Sequence, residues 1–252
     1  MGLVWSIRET LIWKSGFTKF MDLLRRTVFV PVMESCVRRP DRPRTTTMKL
    51  LYNICMRPSE IRLITRILKK RGPCRFLVFG LGNDSTYWRK VNRGGRTVFI
   101  EDDPVWLQRV TGEDPIMEAY LVEYGTERHQ WRELLDRPAS LPVLLPSGIL
   151  EDEWDVVLVD APNGMRQSSP GRMKSIFIAS VLRADDSDVF VHDCNRPVEM
   201  AYSERYLGNG AFLGQVGRLR HYSYGPDTGS SVNRQETLVV WIPAVTSLQS
   251  DC

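Results

Sequence analysis

The sequence predicts an α/β fold. A seven-stranded, mainly parallel sheet with helices between its strands ends in an antiparallel hairpin and follows a helical N-terminal extension. Three observations predict it. From residue 59 onward, short β-branched and aromatic runs alternate with helical patterns. One of these runs, Phe76-Leu77-Val78-Phe79, enters Gly80-Leu81-Gly82 and then a polar triplet suited to starting a helix. The last two runs are joined by a Gly/Ser/Pro/Asn loop with no helical pattern between them.

Residues 1–58 read as a basic extension and residues 59–252 as the main domain. In the extension, Trp5, Ile7, Leu11, Ile12, Phe17, Phe20 and Leu23 suit amphipathic helix, and the Pro- and Arg-rich stretch 38–47 reads as a loop. Ser59 is expected to cap a helix ending near Arg71, with Ile61, Ile64, Ile67 and Leu68 on one face. Gly72-Pro73 stops it. Strands are expected over residues 76–79, 97–100, 119–124, 154–159 and 188–191, then over 212–224 and 236–242. Helices are expected over residues 85–92, 105–110 and 171–182.

Charge is unevenly spread. Net charge is +4 overall, yet residues 1–75 carry 17 Lys/Arg against 5 Asp/Glu. Such a basic segment suits contact with an anionic surface. Nucleic acid is not the expected partner, because no aromatic stacking motif accompanies the charge. The five cysteines, Cys36, Cys55, Cys74, Cys194 and Cys252, form no C-x-x-C pair, which suits a reducing compartment. The sequence predicts no transmembrane helix and no signal peptide, so a cytoplasmic or peripheral membrane location is expected. Met1-Gly2-Leu3-Val4-Trp5-Ser6 fits the pattern for N-myristoylation.

Gly80 and Gly82 let backbone approach a ligand closely. The third glycine of a dinucleotide fingerprint is absent, and Asp84 and Ser85 follow. An aspartate there repels a pyrophosphate but pairs with an ammonium group, which favours S-adenosylmethionine over NAD. Glu101 ends the second strand, where an acid accepts from ribose hydroxyls, and Asp102 and Asp103 are alternatives or helix caps. Asp160 and Asp193 end strands of a parallel sheet and point into its ligand crevice. They suit a base on a substrate hydroxyl or, with Asn195, an oxygen-rich site for a divalent metal. His192 is a further candidate base, although strand alternation sets it opposite Asp193. Seven strands with a hairpin finish match the methyltransferase variant of the Rossmann plan.

With residues 76–85, 94–103, 159–164, 170–173, 189–193 and 217–221 taken together, the chain resembles the glucuronoxylan 4-O-methyltransferase family, the irregular-xylem-15-like domain of xylan biosynthesis. The resemblance spans residues 59–243 and is carried above all by Val159-Asp160-Ala161-Pro162-Asn163-Gly164 followed by Pro170-Gly171-Arg172-Met173. It implies a class I methyltransferase that moves a methyl group from S-adenosylmethionine to O-4 of glucuronic acid on xylan. It places Gly80, Gly82, Asn83, Asp84, Ser85, Glu101 and Asp102 at the cofactor, and Asp160 at the reacting centre. Arg172, Met173 and His221 fall on the acceptor side. It also implies a Golgi location, as in plants. A small hydroxylated acceptor, or a non-catalytic scaffold in glycan synthesis, are the alternative readings.

Overall fold

The structure is a computed structural model in which residues 55–225 are described. Residues 1–54 of the expected extension, with its Gly2 pattern, and the strand expected over 236–242 lie outside the described residues.

The first described helix, α1 (Pro58–Arg71), starts one residue before the expected Ser59 cap. Pro58 occupies its first turn, where a missing N–H costs nothing. The Glu60 carboxylate reaches back to the Arg57 backbone N–H at 2.5 Å. The sheet then builds through β1 (Arg75–Phe79), α2 (Ser85–Val91), β2 (Arg96–Glu101), α3 (Pro104–Glu113) and β3 (Glu118–Leu121). Short turns of helix follow, including α4 (Trp131–Leu135) and α5 (Ser147–Leu150), in a stretch for which no element was expected. The Tyr202 and Tyr206 hydroxyls pin it by donating to the Trp131 and Leu135 carbonyls. The second half runs β4 (Trp154–Val159), α6 (Met173–Leu182), β5 (Arg183–Val191), α7 (Pro197–Tyr206), β6 (Phe212–Val216) and β7 (Leu219–Tyr224).

Strand order is β3-β2-β1-β4-β5-β7-β6. β7 runs antiparallel between β5 and β6, and the other neighbours are parallel. This is the class I methyltransferase arrangement. The order in which strands are added reverses between the parallel neighbours β1 and β4, so a crevice opens beyond the ends of those two strands.

The hairpin is present, but within one expected strand. Gly217, at φ +61°, and Arg218 form the turn inside the run 212–224. β5 also begins earlier than expected, at Arg183.

Both faces of the sheet are covered, which explains the unbroken apolar runs. Phe76, Val78, Phe99, Leu158 and Phe190 pack with Ile61, Ile64 and Leu68 of α1 and Trp88 of α2. Their alternates Leu77, Phe79, Val98, Val157 and Val189 pack on α6 and α7. Helix α6 is apolar almost all round, and nine of its ten residues are buried. No helix among the described residues is long and apolar enough to cross a membrane.

Gly80 shows why the first turn requires glycine. Its φ is +119°, and an added Cβ would meet the Ala161 Cβ at 2.9 Å. Gly80→Ala is therefore expected to lower stability by about 1–3 kcal/mol and to narrow the crevice. Thermal denaturation checks this, and an unchanged midpoint would contradict it.

Candidate active site

Each wall of the crevice is placed by a strand end. The Gly80 N–H bonds to the Ile100 carbonyl, and the Asp160 N–H to the Phe79 carbonyl, which draws three strand termini together. Gly82 and Ser85 close the glycine turn reciprocally. The Gly82 N–H donates to Ser85 Oγ at 2.9 Å, and the Ser85 N–H donates to the Gly82 carbonyl at 3.1 Å. Trp106 donates its indole N–H to the Leu81 carbonyl. The resulting open cleft holds about 420 Å³ and is lined by residues including Gly80, Leu81, Gly82, Asp84, Glu101, Asp160 and Ala161.

Three carboxylates face this space. Glu101 accepts from the backbone N–H groups of Leu81, Asp102 and Asp103, each at 2.9 Å. Burial pushes its carboxyl up, and these donors oppose the shift. Asp84 accepts from the Trp88 indole at 2.8 Å. Burial, followed by the charge of Asp160, pushes the Asp84 carboxyl up to about 6.

Because the folded state raises this acid, it loses stability as pH climbs from the ordinary aspartate value towards 6. Asp84→Asn keeps an acceptor for Trp88 and removes the charge. It is expected to stabilise the ligand-free protein by about 3 kcal/mol at pH 8, and by less at pH 5. Denaturant titrations at the two pH values check this, and an equal gain at both would refute the assignment.

Beside the cleft lies a dense ionic cluster. His192 Nδ1 is 2.7 Å from Asp160 Oδ1, and its Nε2 is 3.4 Å from Glu60 Oε2. Glu60 is fully buried on α1 and also accepts from the Arg218 backbone N–H at 2.7 Å. Burial works against charge on His192, but the Asp160 and Glu60 carboxylates raise its pKa to about 9. Burial likewise opposes the Glu60 carboxylate, yet His192 and two backbone N–H groups hold it down at about 2.

Arg172 is buried across the same cluster. It donates to the carbonyls of Pro162 at 3.2 Å and His192 at 2.8 Å. Its Nη2 sits 3.2 Å from Asp160 Oδ1 and 3.1 Å from Asp193 Oδ2. Arg196 and Arg218 close on Asp193 from its other sides, at 3.0 and 2.9 Å.

Several expected residues therefore meet. Gly80, Gly82, Asp84, Glu101 and Asp160 line one cleft, and His192 and Asp193 lie next to Asp160. Strand alternation does not separate His192 from Asp193. Asp193 has φ +62°, which turns its carboxylate back towards the imidazole, with His192 Nδ1 and Asp193 Oδ1 3.7 Å apart.

Other expected residues are placed elsewhere. Ser85 is spent on the turn, and neither Asn83 nor Asp102 is among the residues lining the cleft. Asp103 caps α3 by accepting from Val105 and Trp106. Met173 is fully buried in the core. His221 is buried against Asp188 at 2.6 Å and stacked on Phe190, and it is not among the residues lining the cleft. Asn195 is exposed, whereas Asp193 and His192 are buried.

Glu60, Trp88, Trp106, Arg196 and Arg218 are the members that sequence reasoning missed. Only Arg218 left a trace, inside the run Gly217-Arg218-Leu219-Arg220-His221.

Residues 59–143 and 140–222 match the family model described as IRX15/IRX15L/GXM. The chain belongs to the IRX15/IRX15L/GXM family. Among similar relatives of this IRX15/IRX15L/GXM member, Glucuronoxylan 4-O-methyltransferase 2 of Arabidopsis thaliana is 40% identical over 185 residues, 65% of this chain and 64% of that protein. Glucuronoxylan 4-O-methyltransferase 3 of the same plant is 41% identical, over 65% of this chain and 62% of that protein. Arabinogalactan O-methyltransferase 2, also from that plant, is 38% identical over 65% of each. This family member spans just under two thirds of the length of these relatives.

Proposed function

We propose that this protein is an S-adenosylmethionine-dependent O-methyltransferase acting on a glycan-borne glucuronic acid, at O-4 as the names of the glucuronoxylan relatives state. The observation that carries the reading is the position of Asp160. It belongs both to the acidic cleft at the sheet's switch point and to the ionic cluster beside it.

The cleft fits the cofactor. Asp84, Glu101 and Asp160 favour a ligand bearing a sulfonium and an ammonium group, and they disfavour a pyrophosphate. Gly80 and Gly82 leave room for it, since a Cβ on Gly82 would meet Asp84 Oδ1 at 2.5 Å. Asp84 would pair with the ammonium, and Glu101 keeps one acceptor site for a ribose hydroxyl. S-adenosylmethionine supplies an electrophilic methyl group when bound.

The chain's own residues then position the acceptor hydroxyl and take its proton. Asp160 makes its His192 and Arg172 contacts through Oδ1, and its side chain is 26% exposed. Oδ2 makes neither contact and is the oxygen that can accept a proton. His192 already holds one near neutral pH, so it orients Asp160 instead of acting as the base. Much of the rate comes from holding hydroxyl and methyl in line.

One oxygen or nitrogen from each of Asp160, His192 and Asp193 lies within 4.8 Å of the others, as for a cation site. These residues are already matched by Arg172, Arg196 and Arg218, and His192 is itself cationic. A divalent ion fits this arrangement poorly, and no step is derived through one.

The acceptor implies a compartment where polysaccharide is made, and we propose the Golgi, the location that the family resemblance implies. The test is incubation with labelled S-adenosylmethionine and a panel of glucuronoxylan, free uronic acids and small phenols. Label in the uronate-bearing glycan is expected. Label only in the small phenols would overturn the acceptor assignment.

A further inference from the structure

Three arginines surround Asp193, and their exposure separates their roles. The Arg172 side chain is 6% exposed, while those of Arg196 and Arg218 are 19% and 30% exposed. Arg172 spends its guanidinium on two carboxylates and two carbonyls. Arg196 makes two contacts, with Asp193 Oδ2 and with Glu199 Oε1 at 3.4 Å. Arg218 also makes two through its side chain, with Asp193 Oδ1 and the Cys55 carbonyl. Each guanidinium offers five N–H donors, so both keep donors in hand. Arg218 Nε is buried without a partner among the described residues, so a ligand is met by the terminal nitrogens.

The pair is held in place. Asp193 ties both guanidiniums together from its left-handed backbone conformation, a strained geometry that surrounding contacts must maintain. Glu199 is fully buried and braces Arg196. Gly164 passes over this brace without a side chain, since a Cβ there would lie 2.7 Å from Glu199 Oε1 and 3.3 Å from Arg196 Nη1.

The site is thus polarised about Asp160. On one side the cleft presents Asp84 and Glu101, which would repel an anion. On the other, Arg172 links Asp160 to Asp193 and its two part-exposed guanidiniums. In a hexuronic acid, the carboxylate sits on the ring carbon next to the one bearing O-4. A ring with O-4 at Asp160 has to send that carboxylate away from the acidic cleft, and the arginine side is the one that receives it.

Resting on the acceptor reading above, we infer that Arg196 and Arg218 form the subsite that reads the acceptor's uronate carboxylate. Arg172 serves as internal framework. Forked, charge-assisted hydrogen bonds from two guanidiniums select a planar carboxylate over a neutral group of the same shape.

The test compares methyl transfer by the full chain into a xylo-oligosaccharide bearing glucuronic acid and into the same compound with that carboxyl converted to its amide. The wild-type protein is expected to show a KM for the acid roughly 10- to 100-fold below that for the amide. Arg218→Lys and Arg196→Lys keep the charge that balances Asp193 but lose the fork, and each is expected to collapse this ratio. Calorimetry should show their affinity for S-adenosylhomocysteine unchanged. Equal KM values for acid and amide in the wild type, or lysine variants that keep the wild-type ratio, would overturn this inference and leave the methyltransferase reading standing. Methyl transfer to neither compound, with S-adenosylhomocysteine still bound, would remove the acceptor reading and this inference with it.

Discussion

Arg172→Ala is expected to destabilise the protein by about 3–5 kcal/mol, a large share of the stability of a domain this size. The guanidinium is 6% exposed and stands between the carboxylates of Asp160 and Asp193. It also satisfies the buried carbonyls of Pro162 and His192. Truncation leaves two acids facing each other without their shared cation, and two carbonyls without a donor. Lysine is not a substitute, because one ammonium cannot reach four partners arranged around a planar fork. The pH dependence has a definite sign. Burial raises the Asp160 carboxyl, but His192 and Arg172 together hold it below its ordinary value. Its contribution is therefore present above the ordinary aspartate value and lost as pH falls through the lowered one. Urea denaturation at pH 7 and pH 3 measures the effect, which should shrink at the lower pH, below the ordinary aspartate value. A loss below about 1 kcal/mol at pH 7 would mean that Arg172 is peripheral to the cluster.

Asp160→Asn is expected to lower turnover by roughly 10³-fold while the protein, although less stable, still folds. Asparagine keeps a carbonyl oxygen in place of Oδ1, where His192 Nδ1 and Arg172 Nη2 converge. What disappears is the oxygen able to take a proton from the acceptor hydroxyl. The same change removes one of the two causes that raise Asp84, so the Asp84 carboxyl should titrate closer to its ordinary value. Single-turnover methyl transfer and the pH dependence of S-adenosylhomocysteine binding report these effects separately. Near-normal turnover would take Asp160 out of the mechanism.

The parts of this molecule that were legible in its sequence are those decided by neighbours along the chain. Strands β1, β2 and β4 are apolar runs that stop on a glycine or an acid, and their ends carry Gly80, Glu101 and Asp160 into one cleft. The hairpin turn was hidden because Gly217 sits inside a strand-like run without the usual paired turn residues. The relation of His192 to Asp193 was misread because alternation holds only while φ stays negative. Arg172 was expected on the acceptor side, yet its partners are two strand ends, at residues 160–162 and 192–193, that only the fold brings together. No local pattern distinguishes Glu60 from an ordinary first-turn helix acid, and its partners His192 and Arg218 lie far along the chain.

Glu60 also bears on where the working unit begins. A fragment starting at β1 would keep every strand of the sheet and much of its core. It would lack the carboxylate that holds His192 Nε2 and receives the Arg218 N–H. The turn glycine Gly217, where a Cβ would lie 2.5 Å from Glu60 Oε1, would face empty space. The first helix thus braces, from outside the sheet, both the hairpin turn and the imidazole that contacts Asp160.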